Sequence, residues 1–151
     1  MNLSANQLGN ALTGFRNMSC GTSTVRELIS ILAEKVRASQ EYFGIEDVSS
    51  SFLGMESMTC EYIEAVDLLV AIREKLEKCE DVIDPERFAR CLQGLRSMDN
   101  DHKEVKKTID FLIQKIKSQD VEVDGKQQPL SKKDIDEGVV ILSSADKDPK
   151  Y

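Results

Sequence analysis

The chain has no tryptophan, and Tyr and Phe make up only 5% of its 151 residues. So few aromatics argue against a β-sandwich and for helices packed through Leu, Ile, Val and Met. No apolar run approaches the ~18 residues that a membrane-crossing helix needs. The start, Met1 to Gln7, lacks the basic and apolar stretches of a secretory signal. A nuclear or cytosolic, non-secreted protein with no membrane partner is therefore expected. Cys20, Cys60, Cys79 and Cys91 show no C-x-x-C spacing, and His102 is the single histidine. Zinc needs close ligand pairs, so neither a metal nor a cofactor is expected. The eight glycines are scattered rather than gathered into a phosphate loop. No convergent acid, base and nucleophile is legible, so no catalytic residue is assigned.

What the chain does have is charge and aliphatic surface. Charged residues make up 31% and hydrophobic ones 40%, with a net charge of −7 and a pI near 4.8. An acidic surface repels phosphate backbones, which excludes direct nucleic-acid binding by the chain as a whole. The carboxylate pairs, such as Glu74 with Glu77, read as solvated helix faces; Glu74 and Lys78 add an i,i+4 pair. Lys103, Lys106, Lys107, Lys115 and Lys117 read as a basic helix end that complements the helix dipole.

Leu8, Leu12 and Phe15 suggest a first helix over Leu8 to Met18, weakened by Gly9 and Gly14. Thr24 to Glu27 reads as a capping box, followed by a helix through Val25, Leu28, Ile29, Leu32 and Val36 as far as Gln40. Phe43 to Gly54, rich in Ser and Gly, reads as a loop. From Met58 a seam runs through Tyr62, Ala65, Leu69, Ile72, Leu76, Cys79 and Ile83 with spacings of three and four. A second runs through Phe88, Cys91, Leu95, Met98, His102, Val105, Ile109, Leu112 and Ile116. Asp84-Pro85 between them reads as an N-cap with proline at the first helical position. The reading is all-α: an elongated helical bundle or coiled-coil hairpin of three to four helices, with no internal repeat beyond the heptads. A docking domain spans 1–118, and 119–151 forms a largely extended tail.

The packing positions are Leu12, Phe15, Leu28, Leu32, Leu69, Leu76, Leu95, Val105, Ile109 and Leu112. They either meet one another as the chain's own core or meet a partner coiled coil. His102, on a seam, reads as a partly buried interface histidine. Val139, Val140, Ile141 and Leu142, flanked by acids and serines, have the pattern of a strand that binds SUMO by β-augmentation, or of a short strand leading into a further domain.

In order and pattern the chain resembles the N-terminal helical region of non-SMC element two, the SUMO E3 ligase subunit of the Smc-five/Smc-six chromosome complex. Ala11-Leu12-Thr13-Gly14-Phe15-Arg16-Asn17, Tyr62-Ile63-Glu64-Ala65-Val66 and Phe88-Ala89-Arg90-Cys91-Leu92-Gln93-Gly94-Leu95 carry the likeness. The segment Asp134 to Leu142 resembles the acidic stretch that precedes that family's zinc RING. The resemblance implies docking on the coiled-coil arm of Smc-five, tethering of SUMO ligase activity, and a role in DNA repair and chromosome integrity. It also implies that the RING would lie beyond Tyr151, so this stretch alone would dock without catalysing. An unrelated coiled-coil assembly or tethering subunit, such as a kinetochore component or a homodimer, is the alternative.

Overall fold

The computed structural model describes residues 2–122, whose regular secondary structure is helical. Six α-helices form: α1 (Ala5–Thr13), α2 (Ser23–Ala38), α3 (Ile45–Leu53), α4 (Ile63–Lys78), α5 (Pro85–Gly94) and α6 (Lys103–Glu122). The short helices start at 5, 45 and 85 and the long ones at 23, 63 and 103, so the architecture repeats every 40 residues. Short helices stack on short, α1 on α3 on α5, and long on long, α2 on α4 on α6. The result is a two-layer stack of three helix pairs, the arrangement of an α-solenoid.

The all-α class stands, but the chain is cut into more and shorter helices than two long seams imply. Met58, Tyr62, Cys79 and Ile83 lie outside α4, in turns and linkers; Met98 and His102 lie between α5 and α6. Met58, Cys79, Ile83 and Met98 are nevertheless buried. Each turn tucks its apolar residue under the next helix and keeps a three-or-four count without being helical. Sequence spacing therefore ran on across the breaks.

The 40-residue period corrects the expectation of no internal repeat beyond the heptads; it is written in only a few positions, which is why heptad spacing hid it. Leu12-Thr13-Gly14-Phe15-Arg16-Asn17-Met18 aligns with Phe52-Leu53-Gly54-Met55-Glu56-Ser57-Met58 and with Leu92-Gln93-Gly94-Leu95-Arg96-Ser97-Met98. Lys35, Lys75 and Lys115 follow at the same interval, each before an aliphatic residue. A 40-residue period of helix pairs is the signature of a stacked array.

The serine-rich segment expected as a loop is α3. Ser49 and Ser51 are fully buried, and their hydroxyls donate to Glu46 O and Asp47 O one turn back, at 3.2 and 2.7 Å. Small, self-satisfied side chains let α3 lie close between α1 and α5. Its N-terminus is closed by Asp47, which accepts the Gly44 N–H. Asp84 caps α5 by accepting the Arg87 N–H at 2.8 Å, with Pro85 at the first position, as its sequence indicates. The Thr24 capping box does not form: α2 starts at Ser23 with Thr22 as N-cap, so Thr24 lies inside the first turn.

The core runs between the layers through Leu8, Leu12, Ile29, Phe52, Leu68, Leu69, Ile72, Leu76 and Leu92. Each such side chain stabilises by ~1.5–3 kcal/mol when fully withdrawn from water. Among the described residues no buried side-chain nitrogen or oxygen lacks a hydrogen-bond partner. No helix among them is long and apolar enough to cross a membrane.

Candidate protein-docking surface

Because the repeats are in register, each junction can be compared position by position. Two glycines set how closely helix pairs approach. A Cβ on Gly54 would lie 2.0 Å from Leu12 O, and one on Gly94 would lie 1.9 Å from Phe52 O. Both distances are far inside contact, so only glycine permits this stacking. Next to each glycine a serine hydroxyl donates to the preceding pair: Ser57 Oγ to Arg16 O at 2.6 Å, and Ser97 Oγ to Glu56 O at 2.7 Å.

A charge ladder runs along the same edge. Glu56 sits between Arg16 and Arg96 and also accepts from Gln93. The Arg16 guanidinium, hydrogen-bonded to it, holds its carboxyl below the usual carboxylate value. Glu46 is lowered in the same way, chiefly by its hydrogen bond with Arg87 and then by Arg90; Glu104 is lowered by Arg73. At the other pole of the long helices, Lys75 Nζ donates to Ser39 O at 2.9 Å and Lys115 Nζ to Cys79 O at 3.3 Å. Carboxylates also cap the N-termini of the preceding short helices. Glu41 accepts the Ala5 N–H and Asp81 the Ile45 N–H, at 2.9 and 2.8 Å.

At the N-terminal end of the stack these sockets face outward. Among the described residues, no heavy atom other than those of its own chain neighbourhood lies within 4 Å of where a Cβ on Gly14 would stand. Leu28 is 44% exposed, whereas its counterparts Leu68 and Thr108 are fully buried; Met18 is 45% exposed against 1% and 5% for Met58 and Met98. Ile31 is exposed where Ala71 is buried. Where Tyr42 closes the next joint, accepting the Glu80 N–H and donating to Asp81, the corresponding residue is Asn2. There a cleft of about 340 Å³ opens between Asn2, Leu3, Lys35 and Ser39.

The C-terminal end is built differently. Pro85 stands where Ala5 and Ile45 offer an N–H, and position 121 holds valine where Glu41 and Asp81 supply the carboxylate. Lys106, Asp110 and Lys117 are exposed along α6, with Ile113 the apolar exception. Lys106 and Lys117 stand at the positions where Arg26 and Arg37 pair with Glu64 and Asp67 at the first junction.

Of the packing positions identified from sequence, Leu12, Phe15, Leu32, Leu69, Leu76, Leu95, Val105 and Leu112 are buried in the chain's own core, and Ile109 is packed against it. Burial between stacked pairs occupies them. Leu28 is the member of the set that reaches solvent. Gly14 and Ile31, which complete the open face, were not among them; the 40-residue alignment is the signal that finds them.

His102 stands immediately before α6. Its carbonyl accepts the Lys106 N–H, and its Nδ1 accepts the Glu104 N–H at 3.1 Å. It borders a groove of about 450 Å³ across the N-terminal ends of the long helices, with Ile63, Val66, Asp67, Val70 and Lys103. Lys103, Lys106 and Lys107 fall in the first turns of α6, where the helix dipole opposes rather than favours cations. Dipole complementarity therefore does not explain them. Cys91 is wholly buried, and that desolvation pushes its thiol up to about 12. Among the described residues no group of three or more His, Cys, Asp and Glu is placed to hold a metal. Val139, Val140, Ile141 and Leu142 lie outside the described residues, as does most of the 119–151 tail.

No family model, no curated protein and no solved structure matches this chain.

Proposed function

We propose that this protein is a docking module: a short helical-repeat scaffold that holds a protein partner end-on at its N-terminal face. One observation carries the reading. The face bearing Gly14, Leu28 and Ile31 follows the design of the two internal junctions, yet nothing among the described residues covers it. Exposed contiguous apolar surface of this kind marks protein contacts. Its test is direct. Leu28→Lys with Ile31→Lys should leave the fold intact, because both side chains are already largely in water, while abolishing binding of a hydrophobic-surface dye. Unchanged dye binding by the folded double variant would remove this face from consideration.

A narrower form of the proposal takes its partner from the sequence resemblance: the coiled-coil arm of Smc-five, in the nucleus, with SUMO ligase activity tethered to the complex. An antiparallel coiled-coil arm is itself a pair of helices, which is the shape the open face accommodates at its internal counterparts. Co-expression with the Smc-five arm and size-exclusion chromatography test this form, and two folded proteins eluting apart would discard it. SUMO contact through Val139 to Leu142 is part of the same proposal, with a SUMO titration of the full chain as its check.

A further inference from the structure

The repeat register also says what kind of surface the open end accepts, given the docking reading above. At both internal junctions the incoming pair meets a short-helix carbonyl over its glycine, Leu12 O over Gly54 and Phe52 O over Gly94. At both, the charge on the ladder alternates: Arg16, Glu56, Arg96. Continuing this rule outward from Gly14 and Arg16 requires a helix-end carbonyl and then a carboxylate.

We propose that the N-terminal face receives a helix pair of this same 40-residue register, carried by another protein and presenting a carboxylate at the position of Glu56. A second copy of this chain is the wrong occupant. Stacked head to tail, it would set Arg96 against Arg16, like charge against like charge. Stacked face to face, two copies would place Gly14 near Gly14 and give neither the carbonyl for which the glycine leaves room.

The test supplies the missing surface from the protein's own middle repeat. Inserting a copy of residues 43–82 after Glu122 gives the full chain a C-terminal end that carries the Glu56 counterpart and faces outward. The extended protein should then associate head to tail, while the original chain stays monomeric in sedimentation velocity. Glu56→Arg in the added copy alone, or Gly14→Leu in the first repeat, should weaken that association at least about tenfold, the scale of a lost charge match or a filled socket. Placing the copy ahead of Leu3 provides a second reading, within one chain. The melting temperature should rise, and rise less when the copy carries arginine at the ladder position.

A folded, extended chain that stays monomeric, with no gain in melting temperature from the copy placed in front, would overturn the proposal. So would self-association of the original chain that Leu28→Lys dissolves, since that result keeps the docking face but makes its occupant a second copy. Loss of the docking reading itself would appear separately, in the dye experiment on the original chain.

Discussion

The first and second helix pairs share one design and differ in what lies in front of them. Leu68 is fully buried, while Leu28, its counterpart, is nearly half in water. Gly54 meets a backbone carbonyl where Gly14 meets no other part of the described fold. Residue type is therefore a poor guide to role in a stacked protein. The same leucine or glycine is core at one level of the stack and surface at another, because burial is supplied by the neighbouring pair.

The sharpest way to break this comparison is a charge in each leucine position. Leu68→Lys should unfold the protein or cost roughly 4 kcal/mol or more, since it buries an unpaired ammonium. Leu28→Lys should move thermal stability by less than about 0.5 kcal/mol, as for an ordinary surface change. Similar effects at the two sites, measured by urea denaturation, would end the argument that the N-terminal face is open.

Next in size are the glycines. Gly54→Ala or Gly94→Ala should cost about 2–4 kcal/mol, because the added methyl meets a backbone oxygen that cannot rotate away. Gly14→Ala should be neutral or slightly stabilising, since it sits at a right-handed φ of −61° at the end of α1 with space around it. Equal penalties at all three would mean that the first junction is already filled.

Acid should loosen the junctions in a predictable direction. Glu46, Glu56 and Glu104 titrate below their ordinary value of 4.5 in the folded chain because arginines hold the charged forms. Groups with lowered folded values contribute stability that is present above the unfolded value and is lost as pH falls through the folded one. The melting temperature should thus hold near neutrality and decline once pH drops below about 4.5, with a shallower decline in Glu56→Gln. A decline beginning well above pH 6 would point to other groups.

The smallest effect is chemical. Cys91 is sealed under the stack, so alkylation by iodoacetamide should reach it last, while partly exposed Cys60 should react first. Mass spectrometry of the labelled sites reads the order.

Part of this was legible without coordinates. Aliphatic residues at helical spacing and scarce aromatics indicated an all-α chain, and Asp84-Pro85 marked a helix start that the structure contains. The seams suggested continuity because Met58, Ile83 and Met98 are buried in turns at spacings a helix would also give. Phe43 to Gly54 looked like a loop because serine usually prefers caps and turns; buried between two helices, Ser49 and Ser51 are valued for their small size. The candidate surface was half-visible. Leu28 was identified as a packing position, but Gly14 had counted only as a helix weakener.

Whereas the 40-residue interval linking Gly14, Gly54 and Gly94 was passed over until the helix pairs showed it, the sequence by itself determined that helices form and where α5 begins. It could do so because these are local matters of propensity, capping and spacing. Which leucines are core, which glycines are contacts, and which end of the stack is left open were decided only in three dimensions. Burial and close approach depend on the pair stacked in front, and no single repeat contains its own neighbour.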